Sequence, residues 1–140
     1  MNNYRTIIES FEGFVEQHPV LQTFTWGDLS DVGRDNNKIK YPILHVIPQP
    51  STLEKTYTDF VFNMIIGDML NEDESNQLDV LKTSHLILQD FAAYYINQLT
   101  DNTFQLLTPI TFSPFLDRLD DVLCGVESTI TIRVEASFCL

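Results

Sequence analysis

The stretch Val122–Ala136, VLCGVESTITIRVEA, decides the fold class. Val126, Ser128, Ile130, Ile132 and Val134 fall on one side of an extended chain, and Glu127, Thr129, Thr131, Arg133 and Glu135 on the other. Side chains alternate across a strand, so this pattern predicts a strand with one face in a core and one in water. A single wet face is a property of antiparallel sheets, because parallel sheets are usually covered on both sides.

The same period recurs upstream in Tyr57–Met69. Phe60, Phe62, Met64 and Ile66 form one face, and Asp59, Val61, Asn63 and Ile65 the other. The second face is mixed rather than polar, which predicts a central strand. Between these two strands the acidic stretch Asn71–Asn76 has capping-box spacing at Asn71 and Glu74. It leads a helix to about Leu99, with a stripe of Leu81, Ser84, Leu88, Phe91 and Tyr95 flanked by Leu78, Ile87 and Ala92. At ~1.5 Å per residue such a helix is long enough to cross a sheet. Thr100–Asn102 is a turn, and Phe104–Phe112 reads as a strand that Pro109 confines to an edge or a bulge. Ser113–Asp121 reads as a short connection with room for a helical turn.

Toward the N-terminus, Asn2–Gln17 places Tyr4, Ile7, Ile8, Phe11, Phe14 and Val15 at helical spacing, with Glu9, Glu12 and Glu16 on the polar face. His18-Pro19 ends that helix, since the residue before proline is driven out of the α region. Val20–Trp26 reads as a strand, Gly27–Lys40 as a loop or hairpin tip, and Ile43–Ile47 as a strand opened by Tyr41-Pro42. Pro48-Gln49-Pro50-Ser51 is expected to stop that strand in a stiff turn. The order α-β-β-β-α-β-β groups the strands together. It predicts one α+β domain over residues 1–140, an antiparallel or mixed sheet of about five strands with both helices on one face.

Composition narrows the function classes. The chain has 140 residues, 44% of them apolar, which suits one domain with a core that needs no metal or disulfide staple. Its net charge of −12 disfavours a main role in gripping nucleic-acid phosphates or an anionic membrane. Cys124 and Cys139 form no Cys-x-x-Cys pair and read as buried free thiols. No signal peptide or membrane-spanning run is expected, so the reading favours a reducing cytoplasm.

No catalytic, cofactor or metal site is read from the residues. His18, His45 and His85 lack metal-pair spacing. The acids Asp68, Glu72, Asp73, Glu74 and Asp79 lack the register of a calcium loop, and Asp117, Asp120 and Asp121 surround Arg118 as a solvated turn would. Nucleophile elbows, phosphate loops and dinucleotide fingerprints are missing. The basic residues are more informative. Arg34, Lys38 and Lys40 are three of only eight and lie in one segment, whereas Asp59–Asp121 holds eleven acids and two bases. That placement suggests a positive docking loop meeting an acidic neighbour, against the plainer reading of a solvated loop. With Pro48, Gln49 and Pro50 in the next protrusion, these residues are the candidate interface.

An N-terminal amphipathic helix, His18-Pro19 into a strand, a polar hairpin, Tyr41-Pro42 before an apolar strand, the Tyr57–Asp68 strand, an acidic turn, a long helix and an alternating last strand follow in sequence. In layout and size this resembles the small neck proteins of tailed bacteriophages: tail terminators, tail-completion proteins and connector-ring subunits. The resemblance covers most of the chain. It implies a virion component, assembled in the host cytoplasm, that forms a homo-oligomeric ring, a hexamer or dodecamer, between a portal-side connector and the tail. It also implies no enzymatic activity and no cofactor, with DNA passing through the ring unbound. Two other readings remain open: an acidic cytosolic binding module or inhibitor of a basic protein, and a metal-dependent hydrolase using Asp68 or Asp120.

Overall fold

The computed structural model describes residues 3–27, 40–70, 75–97, 104–118 and 123–135. Its elements are α1 (Tyr4–Gln17), β1 (Thr23–Trp26), β2 (Ile43–Leu53), β3 (Tyr57–Met69), α2 (Gln77–Asn97), β4 (Phe104–Leu106), β5 (Phe112–Arg118) and β6 (Leu123–Glu135). The α+β architecture expected from the sequence is present: two helices and one curled, mixed sheet in the order β1-β2-β3-β6-β4, with β5 also paired to β6.

The centre is the β3–β6 pair, antiparallel over the full thirteen residues from Tyr57↔Glu135 to Met69↔Leu123. Both strands turn their even-numbered apolar residues to one side. There Phe62, Met64, Ile66, Val126, Ile130, Ile132 and Val134 are buried with Leu44 and Val46 of β2. Both helices cover this face. Asn3 caps α1 by accepting from the Thr6 N–H, and Ile7, Phe11, Phe14 and Val15 point inward. His18 ends the helix in an extended conformation (φ −78°, ψ 133°), as a residue before proline must. In α2 the buried positions are Val80, Ser84, Ile87, Leu88, Phe91 and Tyr95. The expected stripe therefore holds except at its start, where Leu78 is exposed and Val80 takes the inward place. Phe11 sits where the layers meet, its ring 5.2 Å from Phe62, 5.7 Å from Phe91 and 6.0 Å from Tyr95.

Several local expectations are overturned. β1 and β2 are parallel, Thr23 opposite Ile43 and Trp26 opposite Val46, so Gly27–Lys40 is not a hairpin tip. A parallel neighbour requires the chain to travel back along the strand, which takes about a dozen residues or more, and this connection has that length. Nor does Pro48-Gln49-Pro50-Ser51 stop β2, which runs on to Leu53. The Val46 carbonyl accepts from Gly27 N–H on the β1 side, and Pro48, two residues further, turns its nitrogen the same way. Beyond Trp26 that side has no strand among the described residues, so proline there breaks no ladder bond. The reversal lies at Glu54–Thr56, closed by Glu54 N–H donating to the Tyr57 carbonyl.

The strand expected over Phe104–Phe112 is split. β4 pairs with Ile132–Val134 and β5 with Leu123–Ser128, on the same edge of β6. The chain uses two residues more than β6 between Leu106 and Phe112, so the bulge anticipated at Pro109 is present. Ser113–Asp121 is not a helical connection, since β5 occupies it as far as Arg118. Phe115 supplies the reason: it is buried against Ile43, Ile65 and Leu123 in a second, smaller cluster on the far side of the sheet. The sheet curls tightly at that point. Gly67 and Gly125 are cross-strand partners, and a Cβ on Gly125 would stand 1.9 Å from the Ile66 carbonyl oxygen.

Candidate interaction surface

The candidate surface lies where β1 ends and β2 continues with no further partner on that side among the described residues. Gly27 follows β1 with φ 109°, a left-handed conformation that favours glycine. Buried His45 of β2 holds this corner: its Nδ1 is 2.6 Å from Thr25 Oγ1 and its Nε2 3.0 Å from the Gly27 carbonyl. A carbonyl only accepts, so Nε2 donates to Gly27 and Nδ1 accepts from the Thr25 hydroxyl. The imidazole thus fixes the point from which the chain leaves toward residues 28–39.

Beside this corner lies an open groove of about 540 Å³ lined by Tyr4, Arg5, Ile8, Glu9, Trp26 and Pro48. Its walls are mainly apolar. Trp26 is 58% exposed, far more than an aromatic ring that belongs to a core. Tyr4 is fixed from behind, with its ring 4.7 Å from Phe60 and its hydroxyl donating to Ser51 Oγ at 3.4 Å. Past the groove the β2–β3 hairpin projects. Ser51 to Thr56 are all exposed, and Leu53 at the tip is 67% exposed.

The six residues singled out in the sequence divide among these features. Pro48 lines the groove, and Gln49 and Pro50 continue an edge that has no partner among the described residues. Lys40 is exposed at the entrance to β2, where its carbonyl accepts from Thr23 Oγ1 at 2.6 Å. Arg34 and Lys38 lie outside the described residues. Tyr4, Ile8 and Trp26 were absent from that set. For Tyr4 and Ile8 the signal was available in α1, where the apolar residues span a wider arc than one core-facing stripe requires.

The titratable groups elsewhere are arranged as structural parts. His18 Nδ1 accepts the backbone N–H groups of Val20 and Leu21, which leaves Nε2 to donate to Asp90 at 2.8 Å and tie the α1–β1 turn to α2. His85 stacks on Phe112, with ring centroids 5.2 Å apart. On the open face of the sheet, Arg133 grips its cross-strand partner Asp59 through two hydrogen bonds of 2.8 and 2.9 Å and covers the Tyr57 ring. The Asp59 bond holds the guanidinium pKa above its usual value. Tyr95, hydrogen-bonded to Ser10, titrates above the ordinary phenol range because it is buried. Among the described residues no group of three or more His, Cys, Asp or Glu could hold a metal ion. Asn71–Glu74, Asp120, Asp121 and Cys139 lie outside them.

Cys124 is a buried free thiol opposite Asp68. Burial first, and then the Asp68 carboxylate, push its pKa up, which keeps it a poor nucleophile. Burial also raises the pKa of Asp68, and its hydrogen bond from Met69 N–H only partly offsets this. A carboxyl held above its unfolded pKa binds its proton more tightly when folded, so its contribution to stability falls as pH rises between the two values. Asp68→Asn keeps an acceptor for Met69 and removes the buried charge. The variant should melt about 1–3 °C higher at neutral pH, a small gain because the group is half in water. The gain should vanish below the carboxylate range, which thermal melts at two pH values check.

No described helix is long and apolar enough to cross a membrane. No protein-family model and no curated protein sequence matches this chain.

Proposed function

We propose that this chain is a structural, non-catalytic subunit of a tailed-bacteriophage neck or tail. It is of the tail-terminator or head–tail connector kind, closing into a hexameric or dodecameric ring between the head-side connector and the tail. The observation that supports the reading most is the pairing of two unlike exposed features on one small domain: an apolar groove beside a sheet edge that is unpartnered among the described residues, and a projecting hairpin. A ring needs two such different patches on each subunit, so that each copy engages the next head to tail. Monomers rarely leave a large aromatic ring and an open strand edge together without a partner.

The charge fits the same role. With a net charge of −12, a ring whose axis is lined by part of the surplus acid lets DNA pass by repulsion instead of retaining it. Arg34, Lys38 and Lys40 then serve as a local positive segment that meets an acidic neighbour, another copy or a neck protein. Reversing Arg34 and Lys38 to glutamate together should reduce assembly several-fold while leaving the melting temperature within about 2 °C of the parent. Size-exclusion chromatography and thermal melts of the pair measure both. Unchanged assembly would remove the basic segment from the interface.

A further inference from the structure

We infer that the groove formed by Tyr4, Ile8, Trp26 and Pro48 receives the β2–β3 hairpin tip of a second copy of this chain, with Leu53 as the inserted side chain. The inference rests on the ring reading above and names one contact that would close the ring. Each surface presents apolar side chains to solvent. The groove offers about 540 Å³ behind apolar walls. The tip presents Leu53, 67% exposed yet held in register opposite Thr58, so little freedom is lost when it docks.

Their charges match. Arg5 and Glu9 lie one helical turn apart on the groove wall, and Glu54 and Lys55 follow Leu53 at the tip. Docking can set Arg5 against Glu54 and Glu9 against Lys55. Among the described residues none of these four is in an ion pair, so each is available. Within one chain the tip does not fill this groove: Leu53 is held on a strand paired to β3 and stays 67% exposed. The complementary charges point to another copy as the occupant, and groove and tip, being different surfaces, make a contact that propagates from subunit to subunit.

Sedimentation velocity of the full chain over a wide concentration range tests this, with Leu53→Glu, Arg5→Glu, Glu54→Arg and the Arg5→Glu/Glu54→Arg pair. All of these positions are exposed, so melting temperatures should stay close to the parent's. The expected result is association of the parent, weakened at least about tenfold by Leu53→Glu. Each single charge reversal should weaken it several-fold, and the double reversal should restore it. Association unaffected by Leu53→Glu, with no recovery in the pair, overturns this contact and leaves the ring reading standing. The same outcome is expected if the chain's own residues 28–39 occupy the groove. A parent chain that stays monomeric throughout overturns both.

Discussion

Replacing Gly125 with valine is expected to abolish the native fold, or to lower its stability by at least about 3 kcal/mol. The cause is backbone proximity. A Cβ at this position would lie 1.9 Å from the Ile66 carbonyl oxygen and 2.7 Å from the Gly67 Cα, and both neighbours are main-chain atoms of the central strand. Neither can rotate away as a side chain would. The approach can open only if β3 and β6 separate, and these strands are paired over thirteen residues and turn Phe62, Met64, Ile66, Val126, Ile130, Ile132 and Val134 into the core. Even alanine should be poorly tolerated. Gly13 in α1 is the internal control, because a Cβ there meets nothing within 4 Å. Gly13→Ala should stabilise the chain by about 0.5–1 kcal/mol through lost backbone freedom in the unfolded state. Soluble yield and urea midpoints of the two variants read opposite signs from the same residue type.

The second large effect is expected at Phe11. Its side chain is fully buried and touches aromatic rings from the sheet and from α2, so it joins three elements at one point. Phe11→Ala removes those contacts and leaves a cavity that rigid strands cannot close, a loss of about 3–5 kcal/mol. A domain of this size has roughly 5–15 kcal/mol in total, so the variant should be marginal or unfolded at body temperature. Phe115→Ala should cost less, because its cluster has four buried members among the described residues and Phe115 keeps some exposure. Urea titrations with unchanged slopes would give both values. Equal losses would mean that the far side of the sheet supports the fold as strongly as the helix-covered side.

The readable parts of the fold were those written by a repeating pattern. Alternation over Tyr57–Met69 and Val122–Ala136 gives the two central strands and their faces, and the 3.6-residue stripe gives both helices. His18-Pro19 marks a helix end because proline acts on its immediate neighbour. Expectations failed where a residue's meaning depends on what lies beside it in space. Pro48 looks like a strand breaker, yet it lies in an edge position where a missing N–H is harmless. The parallel pairing of β1 with β2 is a long-range fact carried by no local dipeptide. Of the candidate surface, Pro48, Gln49 and Pro50 were singled out as a protruding turn, whereas they lie within β2, Pro48 on the groove wall. The groove was not legible, because Tyr4, Ile8 and Trp26 look like core residues until the fold leaves them uncovered.

Native mass spectrometry of the purified chain, paired with negative-stain images of the same sample, tests the proposed closure of this protein into a ring with copies of itself. One discrete closed species of six or twelve copies is expected, seen end-on as an annulus with an open centre. A single 16.1 kDa chain at every concentration, bound tightly by a basic protein or turning over a substrate, would contradict it.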